Sequence, residues 1–136
     1  MAGRSLEGLS TALERALTAG DAKALASLYL PTAVITLGVG ETRLEATPEE
    51  TATDRERLGL PILTSVRGID ENGDRGEIVL DWSVEGMTGD GTELELAGDA
   101  TLECLLVGSE WYIAAEHVRC HEGAHVGSRA ASVPRH

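Results

Sequence analysis

Phenylalanine is absent from this chain of 136 residues, and its aromatic complement is Tyr29, Trp82, Trp111 and Tyr112. A core built without phenylalanine must be filled by Leu, Val, Ile and Ala. Lysine is almost absent as well, with Lys23 standing beside ten arginines. Basic residues are outnumbered 11 to 23 by acids, which leaves a net charge of −12. That excess repels phosphate backbones and anionic lipid surfaces, so nucleic acid and membrane are excluded as partners. Two cysteines, Cys104 and Cys120, are too few for a disulfide framework. Cys104 has apolar neighbours and reads as a small core residue. No segment approaches the roughly 18 consecutive apolar residues of a membrane span. The start, Met-Ala-Gly-Arg-Ser-Leu-Glu, lacks the apolar run of a signal peptide. A cytoplasmic location is expected.

What is present is enough for one domain, since a chain of this length buries roughly two-thirds of its surface. Leu6, Leu9, Leu13, Ala16 and Leu17 recur at helical spacing, with Ser5 as N-cap and Gly20 as stop. Asp21 caps a second helix containing Ala22, Leu25, Ala26 and Leu28 and ended by Pro31. Residues 32–37 are β-branched and apolar, the mark of a short strand. Thr47-Pro48-Glu49-Glu50 combines a cap, a first-turn proline and first-turn acids, so a third helix is expected to run to Leu58. Beyond Pro61 the period becomes two. Strands are expected over residues 62–69, 77–85, 93–107 and 110–118, with turns at Asp70-Glu71-Asn72-Gly73-Asp74, Thr88-Gly89-Asp90-Gly91 and Gly108-Ser109. Helices followed by an antiparallel meander predict an α+β fold. The curled antiparallel sheet would form a cone over about three N-terminal helices, with a ligand-sized pocket between the layers. Residues 1–119 would make the domain, and residues 120–136 a polar tail.

Strand parity assigns side chains to faces. Ile78, Leu80, Trp82 and Val84 share one face, as do Leu94, Leu96, Ala100, Leu102, Cys104 and Leu106. On the last strand the same alternation groups His117 with Trp111, Ile113 and Ala115, toward the cone. Glu77, Asp81, Glu85, Glu93, Glu95, Asp99, Glu103 and Glu116 fall on the opposite, outer face. Only a bulge at Gly98 would turn Asp99 inward.

Two stretches carry a family resemblance. After Gly20-Asp21, the run Leu25-Ala-Ser-Leu-Tyr-Leu-Pro-Thr-Ala-Val34 resembles the helix-to-strand signature of nuclear-transport-factor-two-like proteins, including SnoaL-like cyclases and ketosteroid-isomerase relatives. The ending Gly108-Ser-Glu-Trp-Tyr-Ile-Ala-Ala-Glu-His-Val118 resembles their final strand. The resemblance spans about residues 5 to 119 and implies the cone fold. It implies a range of functions too, from isomerases, cyclases and epoxide hydrolases to binding and assembly modules. Isomerases of this type carry an Asp base after the first strand. Residues 35–40 here contain no acid, which argues against that chemistry. Cyclases of the family place an acid or His inward on the last strands, where Ala115 and His117 match.

His117 is therefore the leading catalytic candidate, as an acid or base working near neutral pH, or else a structural histidine bonded to the backbone. Tyr29, at the end of the second helix, would orient a ligand oxygen or cap the core. Trp82 is a core wall that would also touch an apolar ligand. Thr36 would line the pocket, and Asp99 would join it through a bulge. His117, Cys120, His121 and His125 are metal ligands by type, but their spacing matches no zinc pattern, and no metal or cofactor is expected. Two readings follow. One is a small domain that binds an apolar metabolite and moves a proton in a cyclisation, isomerisation or hydration. The other is a binding or assembly module without chemistry. A homodimer is expected through the outer sheet face, loosening at low salt because its acids repel.

Overall fold

A computed structural model of the protein describes residues 3–39, 41–121 and 125–128. Among these residues there are three helices, α1 (Leu6–Ala19), α2 (Ala22–Ala26) and α3 (Pro48–Leu58). Seven strands accompany them: β1 (Tyr29–Val39), β2 (Thr42–Ala46), β3 (Leu63–Asn72), β4 (Arg75–Met87), β5 (Thr92–Val107), β6 (Glu110–Cys120) and β7 (His125–Ser128). The sheet order is β2-β1-β6-β5-β4-β3, with β7 pairing to β5 off that path. β1 and β6 run parallel, and the other neighbours are antiparallel. The expected α+β architecture, a curled sheet over N-terminal helices, is the one the molecule has.

The helix ends follow from local chemistry. The Ser5 hydroxyl accepts from the Gly8 amide at 3.0 Å, and Asp21 does the same for Ala24 at 3.0 Å. Gly20 closes α1 in the left-handed region at φ 67°, where a side chain would be strained. At the start of α3, Thr47 and Glu50 exchange bonds in a capping box. The apolar stripe of α1 is buried against the sheet, with Leu6 and Leu9 almost fully enclosed together with Ile78, Leu102 and Ile113. Each such side chain contributes about 1.5–3 kcal/mol of burial free energy. Leu6 packs so closely over β4 that a Cβ on Gly76 would lie 2.6 Å from its Cδ2.

Three details differ from the sequence reading. The second helix stops at Ala26, and Tyr29 opens β1 instead of ending a helix, because Leu28 is already engaged by the sheet: its carbonyl accepts from Ile113 at 2.9 Å. Pro31 then lies inside a strand, in the stretch between Tyr29 and Val34 where the pairing of β1 with β6 shifts register, so its missing N–H breaks no regular ladder. β2 was not anticipated; it is a short strand with exposed Leu44, paired from Val39↔Thr42 to Ile35↔Ala46. Within the expected tail, His125–Ser128 pairs with β5 residues 92–95. Residues 122–124 and 129–136 of that tail lie outside the described residues.

Candidate functional site

A single inserted residue decides which side chains enter the cone. On β6, Ile113 pairs with Cys104 and Ala115 pairs with Glu103, so Ala114 has no partner on β5. This bulge shifts the alternation by one. Trp111 and Ile113 point inward before it, and Glu116 and Val118 point inward after it. His117 is thereby turned to the outer face. Its side chain is 52% exposed, and Nε2 lies 2.7 Å from Oε2 of Glu103. The expectation that His117 faces the cone and Glu116 faces solvent is thus reversed, by a bulge at Ala114 and not at Gly98. β6 crosses Thr36↔His117 in register, so Thr36 also lies on the outer face and not in a pocket.

The polar group inside the cone is Glu116, joined by residues from two other elements. The Tyr29 hydroxyl, at the start of β1, donates to Oε1 of Glu116. Nη2 of Arg55, on α3, donates to Oε2 at 3.4 Å. The side chain of Glu116 is 6% exposed and that of Arg55 20%. Burial, followed by the negative charge of Glu116, pushes the Tyr29 phenol well above its ordinary range. Burial works against the Arg55 charge, but Glu116 and then Tyr29 outweigh it and hold the guanidinium above its ordinary value. Burial, with smaller contributions from Glu116, Glu103 and Glu77, raises the Cys104 thiol to about 12, so it is an inert core residue. Tyr29 is therefore buried in the interior, with partners that the sequence reading did not assign.

Trp82 is on the inner face, half-buried at the core margin, and its indole N–H donates to the Asp99 carbonyl at 3.2 Å. It lies against Gly98, where a Cβ would come within 2.6 Å of Cζ2 of the ring and 1.9 Å of the Arg119 carbonyl oxygen. The Trp82↔Gly98 register is continuous, so Gly98 marks a close approach and no bulge. Asp99 accordingly stays on the outer face, yet it is buried there, its side chain only 12% exposed. Arg119 covers it with two bonds at 3.1 and 3.2 Å, and His121 with one at 2.8 Å. The hydrogen bond from His121 and then the Arg119 guanidinium hold its carboxyl below the usual range, against the effect of burial. Next to this cluster Arg67 pairs with Asp81 at 3.2 Å. Among the described residues no three His, Cys, Asp or Glu side chains converge to hold a metal ion, and the side chain of His125 lies outside them.

Two hollows border these groups. One, of about 10 Å³, lies on the helix side between α1, α2 and α3 and touches Arg55. The other, of about 260 Å³, opens on the outer sheet face beside the bulge and includes Asp70, Arg75, Glu77, Glu103, Ala114 and Ala115.

The chain has the nuclear-transport-factor-two-like cone fold. Among solved structures it is similar to an NTF2-like protein of unknown function from Silicibacter pomeroyi, at 17% identity and TM-score 0.68, over 85% of this chain and 92% of that one. A conserved protein from Planctomyces limnophilus matches at 19% identity and TM-score 0.71, with the same 85% and 92% coverage. A ketosteroid isomerase-like protein from Erwinia carotovora matches at 14% identity and TM-score 0.70, again over 85% and 92%. No model of a known protein family matches the sequence, and no curated protein matches it. No described helix is long and apolar enough to cross a membrane.

Proposed function

We propose that this protein is an assembly module that forms a homodimer through the outer face of its sheet, and not a cyclase or isomerase working through His117. The observation that carries this reading is where the open space lies. The hollow of about 260 Å³ is on the outer face, whereas the void touching Arg55 on the helix side is about 10 Å³, the space of roughly one water. The void touching Arg55 is smaller than an apolar metabolite, and the carboxylate of Glu116 is already engaged by Tyr29 and Arg55. The leading base candidate, His117, is on the far side of the sheet, paired to Glu103.

The outer face has the makings of a self-complementary surface. Among the described residues no helix covers it, and Val34, Leu63 and Val107 are 44%, 58% and 50% exposed there. Charges of both signs surround them: Arg67 and Arg119 against Asp81 and Asp99, and a row Asp70↔Glu77↔Glu103 in direct cross-strand register. Like charges in such a row repel each other and their counterparts on a second copy. Association is therefore favoured by salt, which shortens the screening length from about 30 Å at 0.01 M to about 3 Å at 1 M. Sedimentation velocity across that range is expected to show a dimer at high salt that loosens at low salt. Val79→Arg, at the centre of the same face between Gly68 and Thr101, is expected to give a folded monomer. A wild-type monomer at every salt concentration, or a dimer untouched by Val79→Arg, would falsify the reading.

A further inference from the structure

Two imidazoles stand on the outer face, close to its centre. His117 shares a cross-strand row with Val79 through Val79↔Thr101↔His117. His121 follows just beyond the end of the same strand, with Arg119 between them. Both side chains are 52% exposed, and each meets a β5 carboxylate: Glu103 lies 2.7 Å from His117, and Asp99 lies 2.8 Å from His121. Thr36 on β1 and Thr101 and Ala97 on β5, the other cross-strand neighbours, carry no charge. Within this strip the acids Glu95, Asp99 and Glu103 of β5 outnumber Arg119. One strand further lie Arg43 and Glu45 on β2 and Glu77, Asp81 and Glu85 on β4, of which Asp81 is held by Arg67. Glu95 is also in register with His125 of β7, whose side chain lies outside the described residues.

We propose, building on the dimer reading of this face, that protonation of His117 and His121 tightens the homodimer, so that mild acid acts on it as salt does. Imidazole is the side chain whose charge ordinarily changes between about pH 5 and 8, a range in which exposed carboxylates and arginines keep theirs. With both rings neutral, three acids face one arginine in the strip, and a second copy brings the same excess against it. Two protons per copy cancel that excess. Each falls on a ring already bonded to a carboxylate, where it makes a charge-assisted pair without moving a side chain. The coupling is reciprocal, so association in turn makes both rings take up protons more readily.

Sedimentation equilibrium of the full chain at about pH 8 and about pH 5.5 tests this, at about 0.01 M and about 1 M salt. At low salt the dimer is expected to tighten at least about tenfold on acidification, and at high salt by less than about twofold. His117→Gln combined with His121→Gln keeps two hydrogen-bonding side chains that take up no proton, and is expected to lose the low-salt response. A second measurement needs no variant. The imidazole NMR signals of both histidines, titrated in dilute and in concentrated wild-type protein, should show protonation at the higher pH in the dimer; should the double variant not fold, this decides. A wild-type monomer at every pH and salt concentration overturns the dimer reading and its pH control together. A dimer equally tight at both pH values, a folded double variant that keeps the response, or rings that titrate alike in monomer and dimer overturns the pH control and leaves the dimer standing.

Discussion

Glu116 and His117 are adjacent in the chain and opposite in physical situation. Glu116 is buried with Arg55 and Tyr29, whereas His117 shares a solvent-exposed pair with Glu103. Removing one partner of a buried ion pair leaves the other charge uncompensated. Glu116→Ala is therefore expected to lower stability by about 3 kcal/mol, and His117→Ala by no more than about 0.5 kcal/mol. Urea denaturation of the two variants checks this, and equal losses would place the histidine in the core after all. Asp99 makes a pH-dependent case. Its folded-state pKa lies below the ordinary value, first through His121 and then Arg119. The stability it contributes is present above the unfolded carboxylate value of about 3.9 and is lost as pH falls through the lower folded value. Asp99→Asn should thus be less stable than the wild type near neutral pH, with the gap closing below about pH 4. Thermal unfolding followed from pH 7 down to pH 3 measures that convergence.

Among the elements, β6 and β5 set the geometry of everything above. The inserted Ala114 allows one strand to present Trp111 and Ile113, then Glu116 and Val118, to the same interior. Deleting Ala114 removes the bulge and leaves Ile113, Glu116 and Val118 on the inner face and Ala115 and His117 on the outer one in continuous alternation. The expected outcome is a variant that still folds cooperatively, read as a single sharp thermal transition. Gly98 is the second constraint, because Trp82 and the β6 backbone close over it. Gly98→Ala is expected to cost about 3 kcal/mol through overpacking. Its effect would be measured by denaturation and by a change in Trp82 fluorescence. The bulge left a trace in the sequence: the buried apolar residues switch from odd positions, 111 and 113, to an even one, 118, across the Ala114-Ala115 pair. Uniform alternation overlooks that switch because alanine is tolerated on either face. Tyr29 is a parallel case, since a residue two before Pro31 in a strongly helical context reads as helix until the sheet claims it.

At the scale of the whole molecule, part of the negative charge forms a row on the outer sheet face. Asp70, Glu77 and Glu103 lie side by side on the face proposed to meet a second copy. Replacing Glu77 and Glu103 by Gln should strengthen that dimer most at low salt and hardly at all near 1 M, where screening already acts within about 3 Å. Sedimentation equilibrium of the variant against the wild type tests the difference. An equal gain at both salt concentrations would mean that the row does not oppose association.

The order of helices and strands, the α1 stripe, the caps at Ser5, Asp21 and Thr47, and the acidic character of the outer face were legible in the sequence. Each depends on neighbours a few residues away, where period and capping chemistry act. The contents of the cone were decided only by the tertiary structure. A one-residue offset between β5 and β6 has no local energetic signature in the chain. It becomes favourable when Leu102, Cys104, Trp111, Ile113 and Val118 pack on the same side, and when Arg55 and Tyr29, brought from α3 and β1, compensate Glu116. That is why the last strand declared the fold at once, while which of its two neighbouring titratable groups lies inside depended on contacts from across the molecule.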